Sequence, residues 1–229
     1  MTTTPIRSAL EREQSKIKDD ILRLGSMVVT AIERSITALK NRDQSLAQQV
    51  SDEDKLINEL RYQIEERCVT LIATQQPAAS DLRMTIAATH IAVELERMAD
   101  HAQGIAQITI RMIDQPLLKP LIDLPLMSTI TCEMIRASLD AFLKQDVEAA
   151  RQIAARDDEV DQLYQQVLRE LLTYMMEDAR NIQRATFLLW VAHNLERIGD
   201  RVTNLCERVI FMTTGYLGEI IQSEPEPKN

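Results

Sequence analysis

Two short segments decide the fold: Leu95-Glu96-Arg97-Met98-Ala99-Asp100 and Leu195-Glu196-Arg197-Ile198-Gly199-Asp200. They are the same Leu-Glu-Arg-x-x-Asp string set 100 residues apart, and the likeness extends outward from each, with Ala92 matched by Ala192. Upstream the offset becomes 103 and stays constant. It places Ser35 on Ser138, Asp43 on Asp146, Ala47 on Ala150, Asp54 on Asp157, Leu60 on Leu163 and Gln63 on Gln166. A constant offset within each element is the mark of an internal duplication. The chain therefore reads as two copies of one unit, the second hairpin three residues tighter than the first.

Apolar spacing shows what the unit is. Ile17, Ile21, Leu24, Val28, Ile32, Ile36 and Leu39 recur every three or four residues, which makes one stripe of an amphipathic helix over 8–40. Asn41-Arg42-Asp43 reads as a turn with Asp43 as N-cap. A second helix runs to about Gln75, where Pro77 stops it, and a third from Ser80 to about Met112. Each would be about 50 Å long. Gln115 to Pro125 holds three prolines and reads as a linker. A fourth helix then ends near Lys144, Asp146 caps a fifth expected to run unbroken from Val147 to Met176, and a sixth runs from about Arg180 to Thr213. Leu188, Val191, Leu195, Ile198, Val202, Leu205 and Val209 form its core stripe, and Gly215 ends it. The expectation is an all-α protein of two tandem three-helix bundles with long antiparallel helices. The first repeat covers 1–114, the linker 115–125, the second repeat 126–215 and a polar, loose tail 216–229.

Composition agrees. Of 229 residues, 45% are apolar, 3% aromatic and only five are glycine, a helix-forming mixture that disfavours sandwiches and barrels. A net charge of −9 argues against nucleic-acid binding. Cys68, Cys132 and Cys206 lie far apart and form no CxxC pair, so they read as reduced core residues. No uncharged stretch reaches the ~18 apolar residues of a span, and the first 18 residues lack a signal-like apolar region, so a cytoplasmic protein is expected.

The chemistry lies in carboxylates. Glu96 and Asp100 are one turn apart on a helix face, as are Glu196 and Asp200. The preceding helices carry Asp54 with Asn58 and Asp157 with Asp161. In an antiparallel hairpin, residues at one height have position numbers with a constant sum. Asp54 with Asp100 and Asn58 with Glu96 both sum to 154, centred on Pro77. Asp157 with Asp200 and Asp161 with Glu196 both sum to 357. Four oxygen-bearing side chains thus share one height in each repeat, on the flank of the apolar stripe and so at the surface. Such a set suits Fe, Mn or Mg and disfavours zinc. The plainer reading is a solvated face, with Arg97 and Arg197 pairing Asp100 and Asp200 at i,i+3. His193-x-x-Glu196 has the reverse order of the Glu-x-x-His of ferritin-like di-iron sites. No Gly-rich phosphate loop or GxSxG nucleophile motif is present.

These strings, with Pro77-Ala-Ala-Ser-Asp-Leu-Arg83 at the first hairpin, Leu172-Thr-Tyr-Met-Met-Glu-Asp178 at the second, and Asn194-Leu-Glu-Arg-Ile-Gly-Asp-Arg201, resemble the PhoU family from about residue 10 to 215. The resemblance implies a dimeric, non-enzymatic cytoplasmic regulator that represses phosphate uptake and the phosphate-starvation regulon. Its partners would be a sensor histidine kinase and the ATPase subunit of the phosphate ABC transporter, which would bring it to the inner membrane peripherally. It also implies metal at the E/DxxxD motifs, which fall on Glu96 and Asp100, Asp157 and Asp161, and Glu196 and Asp200. Asp54 with Asn58 departs from that pattern. Two other readings are a carboxylate-bridged metalloenzyme, for which the flank position of the acids is unfavourable, and a metal-free structural scaffold of spectrin type.

Overall fold

The computed structural model describes residues 5–218, and those residues form helices and connections with no strand. Of the tail expected over 216–229, residues 219–229 lie outside them. Helix α1 spans Pro5–Asn41, α2 Gln44–Gln75 and α3 Ser80–Arg111. The second repeat comprises α4 Asp123–Lys144, α5 Val147–Ala155, α6 Asp157–Glu177, a 3₁₀ turn Ala179–Asn181 and α7 Ile182–Thr214.

Both caps are where the duplication puts them. Asp43 accepts from the Leu46 amide at 2.9 Å and Asp146 from the Ala149 amide at 2.9 Å, each satisfying one of the donors a helix start leaves unpaired. Gln76, in the left-handed region at φ 46°, ends α2 just before Pro77, and Gly215 at φ 81° ends α7. Helix α4 opens at Asp123, inside the stretch expected to be linker. Pro125 falls in its first turn, where the missing N–H had no partner to lose.

The expected unbroken fifth helix is two helices. The chain tightens at Arg156, where the amide bonds back only three residues to Ile153 and the carbonyl receives Glu159. The Arg156 side chain is held by Glu133 at 3.0 Å and Glu159 at 3.4 Å. No proline or glycine marks this break. It reflects tertiary fit rather than propensity, since it starts α6 at Asp157, which turns in against α7.

The seven α-helices share one apolar core. The α7 stripe from Leu188 to Val209 is buried throughout, and Leu95 and Leu195 are both 0% exposed. Burial of such side chains supplies about 1.5–3 kcal/mol each. Cys68, Cys132 and Cys206 are free thiols buried in it. Burial pushes the Cys132 and Cys206 thiols up to about 12, so both remain protonated and inert. Gly25 lets α1 approach α4: a Cβ there would stand 2.2 Å from Leu139 Cδ1.

The repeats meet through α3 and α7, which run antiparallel. Arg201 reaches Glu94 at 3.4 Å, His101 Nδ1 meets Asn194 Oδ1 at 2.9 Å, and Arg83 Nε donates to the Met212 carbonyl at 3.3 Å. In each pair the position numbers sum to 295. Glu94 with Arg201 and Asn194 with His101 are exchanged by the 100-residue shift, so an approximate two-fold axis passes between α3 and α7.

Candidate metal centre

Each repeat builds its strip by closing a hairpin so that the two motif-bearing helices face each other. In the first, Gln103 Nε2 donates to the Ser51 carbonyl at 3.3 Å, and their numbers sum to 154, the register derived from the Pro77 turn. In the second, Thr203 Oγ1 reaches Asp157 Oδ2 at 3.4 Å, and Asp157 Oδ1 lies where a Gly199 Cβ would approach to 2.3 Å. Asp157 is therefore level with the turn of α7 that carries Asp200. All eight residues singled out in the sequence fall into these two strips.

Their depth differs from the expected shallow surface. Asp54 is only 7% exposed, and Asn58, Glu96, Asp157, Glu196 and Asp200 are half-buried, while Asp100 and Asp161 are exposed. Long helices packed along their length cover the flank of the stripe, so acids that periodicity placed at an edge lie partly beneath neighbours.

Burial and mutual repulsion make the strips electrostatically costly. Burial, then the charge of Asp100, raises Asp54, with Asn58 opposing. Burial again leads at Glu96, helped by Asp100 and Asp54 and opposed by Arg61. In the second strip Asp157 is pushed up to about 7, first by burial and then by Asp161 and Asp200, with the Thr203 hydroxyl pulling it back. Asp161 and Glu196 are raised too, by burial and then by Asp200.

The expected arginine pairing holds in one repeat only. Arg197 Nη1 stands 2.8 Å from Asp200, but Arg97 turns to Glu94 at 3.4 Å. Arg61, also in the first repeat, is engaged with Glu65 at 3.1 Å and lies over the Tyr62 ring. Two side chains at the strips, Arg61 and Thr203, escaped the sequence reading, and a third, His193, was set aside there although its Nδ1 is 3.2 Å from Glu196 Oε2. The His193-x-x-Glu196 spacing carried that last signal. Arg61 and Thr203 had none, because each acts across helices.

Among the described residues, no group of three or more His, Cys, Asp or Glu side chains already stands in an arrangement that could hold a metal ion. The donors nevertheless suit a hard cation in kind. Buried oxygens without a hydrogen-bond partner include Asp54 Oδ1, Asn58 Oδ1 and Asp157 Oδ1, while Glu196 Oε2 has only its 3.2 Å approach to His193 Nδ1. An ion would draw these carboxylates inward and relieve the repulsion that keeps them apart.

A tandem three-helix-repeat protein with a paired acidic strip on each repeat is thus the class defined by fold and site. Comparison with known proteins gives the family. The PhoU domain model matches residues 21–109 and 124–209, one domain per repeat. The chain is 39% identical to the phosphate-specific transport system accessory protein PhoU homolog of Aquifex aeolicus, over 91% of this chain and 94% of that protein. To the phosphate-specific transport system accessory protein PhoU of Escherichia coli it is 36% identical, over 92% and 87%. The crystal structure of PhoU from Pseudomonas aeruginosa superimposes with a TM-score of 0.85 at 35% identity, covering 90% of this chain and 99% of that one. The chain belongs to the PhoU family.

Proposed function

We propose that this protein is a negative regulator of phosphate uptake and of the phosphate-starvation response. It acts without catalysis, as an adaptor between the ATPase subunit of a phosphate ABC transporter and a sensor histidine kinase. A role in phosphate transport follows from relatives named as accessory proteins of such systems over nine-tenths of the chain. No helix of the described residues is long and apolar enough to cross a membrane, which suits an adaptor that reaches the membrane through the transporter. We place it in the cytoplasm, as a homodimer.

The observation that carries the mechanism is the pair of acid strips held in register by two hairpins. Asp54, Asn58, Glu96 and Asp100 would hold one ion set, and Asp157, Asp161, Glu196 and Asp200 the other, with Mn, Fe or Mg preferred over Zn. Bound metal would clamp α2 to α3 and α6 to α7 and offer open coordination positions to an oxygen ligand of a partner. Deleting the gene in its host tests the regulatory role. Expression of phosphate-starvation genes in rich phosphate is expected, and normal repression overturns the reading. A complementing copy lacking the carboxylates of both strips tests whether the metal surfaces matter to it.

A further inference from the structure

A cleft of about 170 Å³ opens between α1 and α2 in the first repeat. Met27, Ala31, Val50, Leu56, Ile57 and Ala99 form its apolar walls, and its polar lining includes Ser26, Thr30, Arg34, Glu53 and Asp54. Arg34 is already committed to Glu53 and to Gln49. Asp54 is the lining charge left over. One of its oxygens, Oδ2, accepts from Asn58 at 3.1 Å, and the other, Oδ1, is buried without a partner. A carboxylate 93% covered and half satisfied is a standing cost that a cation would remove.

Size and shape narrow the occupant. Metabolite-sized ligands take cavities of roughly 300 Å³ or more, so this cleft accepts one long side chain. The apolar walls match an alkyl stem, with Leu56, 46% exposed, at the rim. Only one Asp54 oxygen lacks a partner, which suits the point charge of an ammonium rather than the two-pronged contact that a guanidinium makes with a carboxylate. The Arg34–Glu53 pair cancels, Asp52 adds negative charge on the same helix, and the whole chain carries −9, so the matching surface is basic. The second repeat supplies an internal contrast. Its counterpart of Ala31 is the fully buried Met134, and its counterpart of Glu53 is Arg156, tied to Glu133 and Glu159.

We propose that the α1–α2 cleft of the first repeat receives a lysine side chain from a basic segment of a partner protein, its stem against Met27, Ala31 and Leu56 and its ammonium on Asp54. The site shares Asp54 with the first acid strip, so lysine and metal compete for that carboxylate, and lysine binding does not rest on metal binding there.

The test uses the full chain, chelator-treated and ¹⁵N-labelled, titrated with a capped Gly-Gly-Lys-Gly-Gly peptide and its norleucine counterpart. Saturable amide shifts confined to the neighbourhood of Ala31, Asp54, Ile57 and Ala99 are expected, with the norleucine peptide at least about tenfold weaker. Ala31→Met, which installs the second repeat's own residue, should abolish the response, and Asp54→Asn should weaken it about tenfold. Unchanged spectra of both variants away from the cleft establish that they are folded. Equal binding of the norleucine peptide would overturn the proposal, because the cleft would be merely apolar. Shifts spread over exposed acids and retained in Ala31→Met would overturn it as unspecific attraction. Perturbation of the cleft by Mn²⁺ but not by the lysine peptide would assign it to the metal strip instead. Because chelator is present, failure of the metal reading leaves this result standing, and the converse holds.

Discussion

The two acid strips occupy equivalent places on duplicated scaffolds yet solve their charge problem differently. The first has three carboxylates and an amide. Asn58 donates to Asp54, and Arg97 is drawn away to Glu94. The second has four carboxylates, with Arg197 on Asp200, and it pushes Asp157 up to about 7. Among the four paired ligand positions only Asn58 and Asp161 differ. The flanking side chains differ too, with Arg61 beside the first strip and His193 and Thr203 beside the second, and a break in the helix at Arg156 belongs to the second alone. A duplicated backbone can therefore hold equivalent side chains in register while their charge balance drifts.

The strongest challenge to this comparison is to ask whether the scaffolds are equivalent at all. Leu95→Ala and Leu195→Ala remove matched, fully buried side chains, and each should cost about 2–5 kcal/mol in denaturant unfolding. Costs differing by more than about 2 kcal/mol would mean the two repeats do not share one packing scheme.

Next in size is the response to metal. Elemental analysis of untagged protein beside Glu96/Asp100→Ala and Glu196/Asp200→Ala should show ions lost from each variant. The second strip is expected to bind at least about tenfold more tightly in Mn²⁺ titrations above pH 7, since a fourth carboxylate in place of the Asn58 amide favours a hard ion. Equal and negligible metal in all three would reduce both strips to ion-paired surface.

Acidity separates the strips without any ion. A carboxyl whose folded pKa lies above its unfolded value stabilises the fold only while protonated. Metal-free protein should therefore lose stability as pH rises from about 4, the ordinary aspartate value, to about 7. Solvent screening at half-buried Asp157 reduces the effect to about 1–2 kcal/mol. Asp157→Asn should flatten that slope in thermal melts from pH 4 to 8, and Asp54→Asn should flatten it less. The smallest effect belongs to Asn58→Asp. It should cost the metal-free protein a few tenths of a kcal/mol, as like charges one turn apart do, and should move the first strip's Mn²⁺ affinity toward that of the second.

Much of this was legible before any coordinates. The heptad-like stripes, the capping residues Asp43 and Asp146 and the Pro77 turn are local signals, and together they set the hairpin registers, which is why eight residues far apart in sequence could be assembled into two strips. What escaped depends on contacts between elements. The tightening at Arg156 carries no proline or glycine. The burial of Asp54 comes from neighbouring helices laid over it, and the cleft beside it opens where Ala31 stands in for the methionine of the second repeat. Arg97 has an acid three residues away on either side, Glu94 and Asp100, and it takes Glu94 rather than the Asp100 that the spacing also offers.

The α3–α7 seam has a consequence of its own. Its axis would once have related identical contacts, but Glu94 now faces Arg201 while Asn194 faces His101. Two first repeats brought together would set Glu94 against His101, leaving the glutamate without its arginine, and two second repeats would set Asn194 against Arg201, leaving the arginine without its glutamate. The halves are thus no longer interchangeable parts: the seam works as a handshake that only one left and one right hand can complete. It discriminates against self-pairing of either half, so that a chain split at its linker should reassemble as a heterodimer.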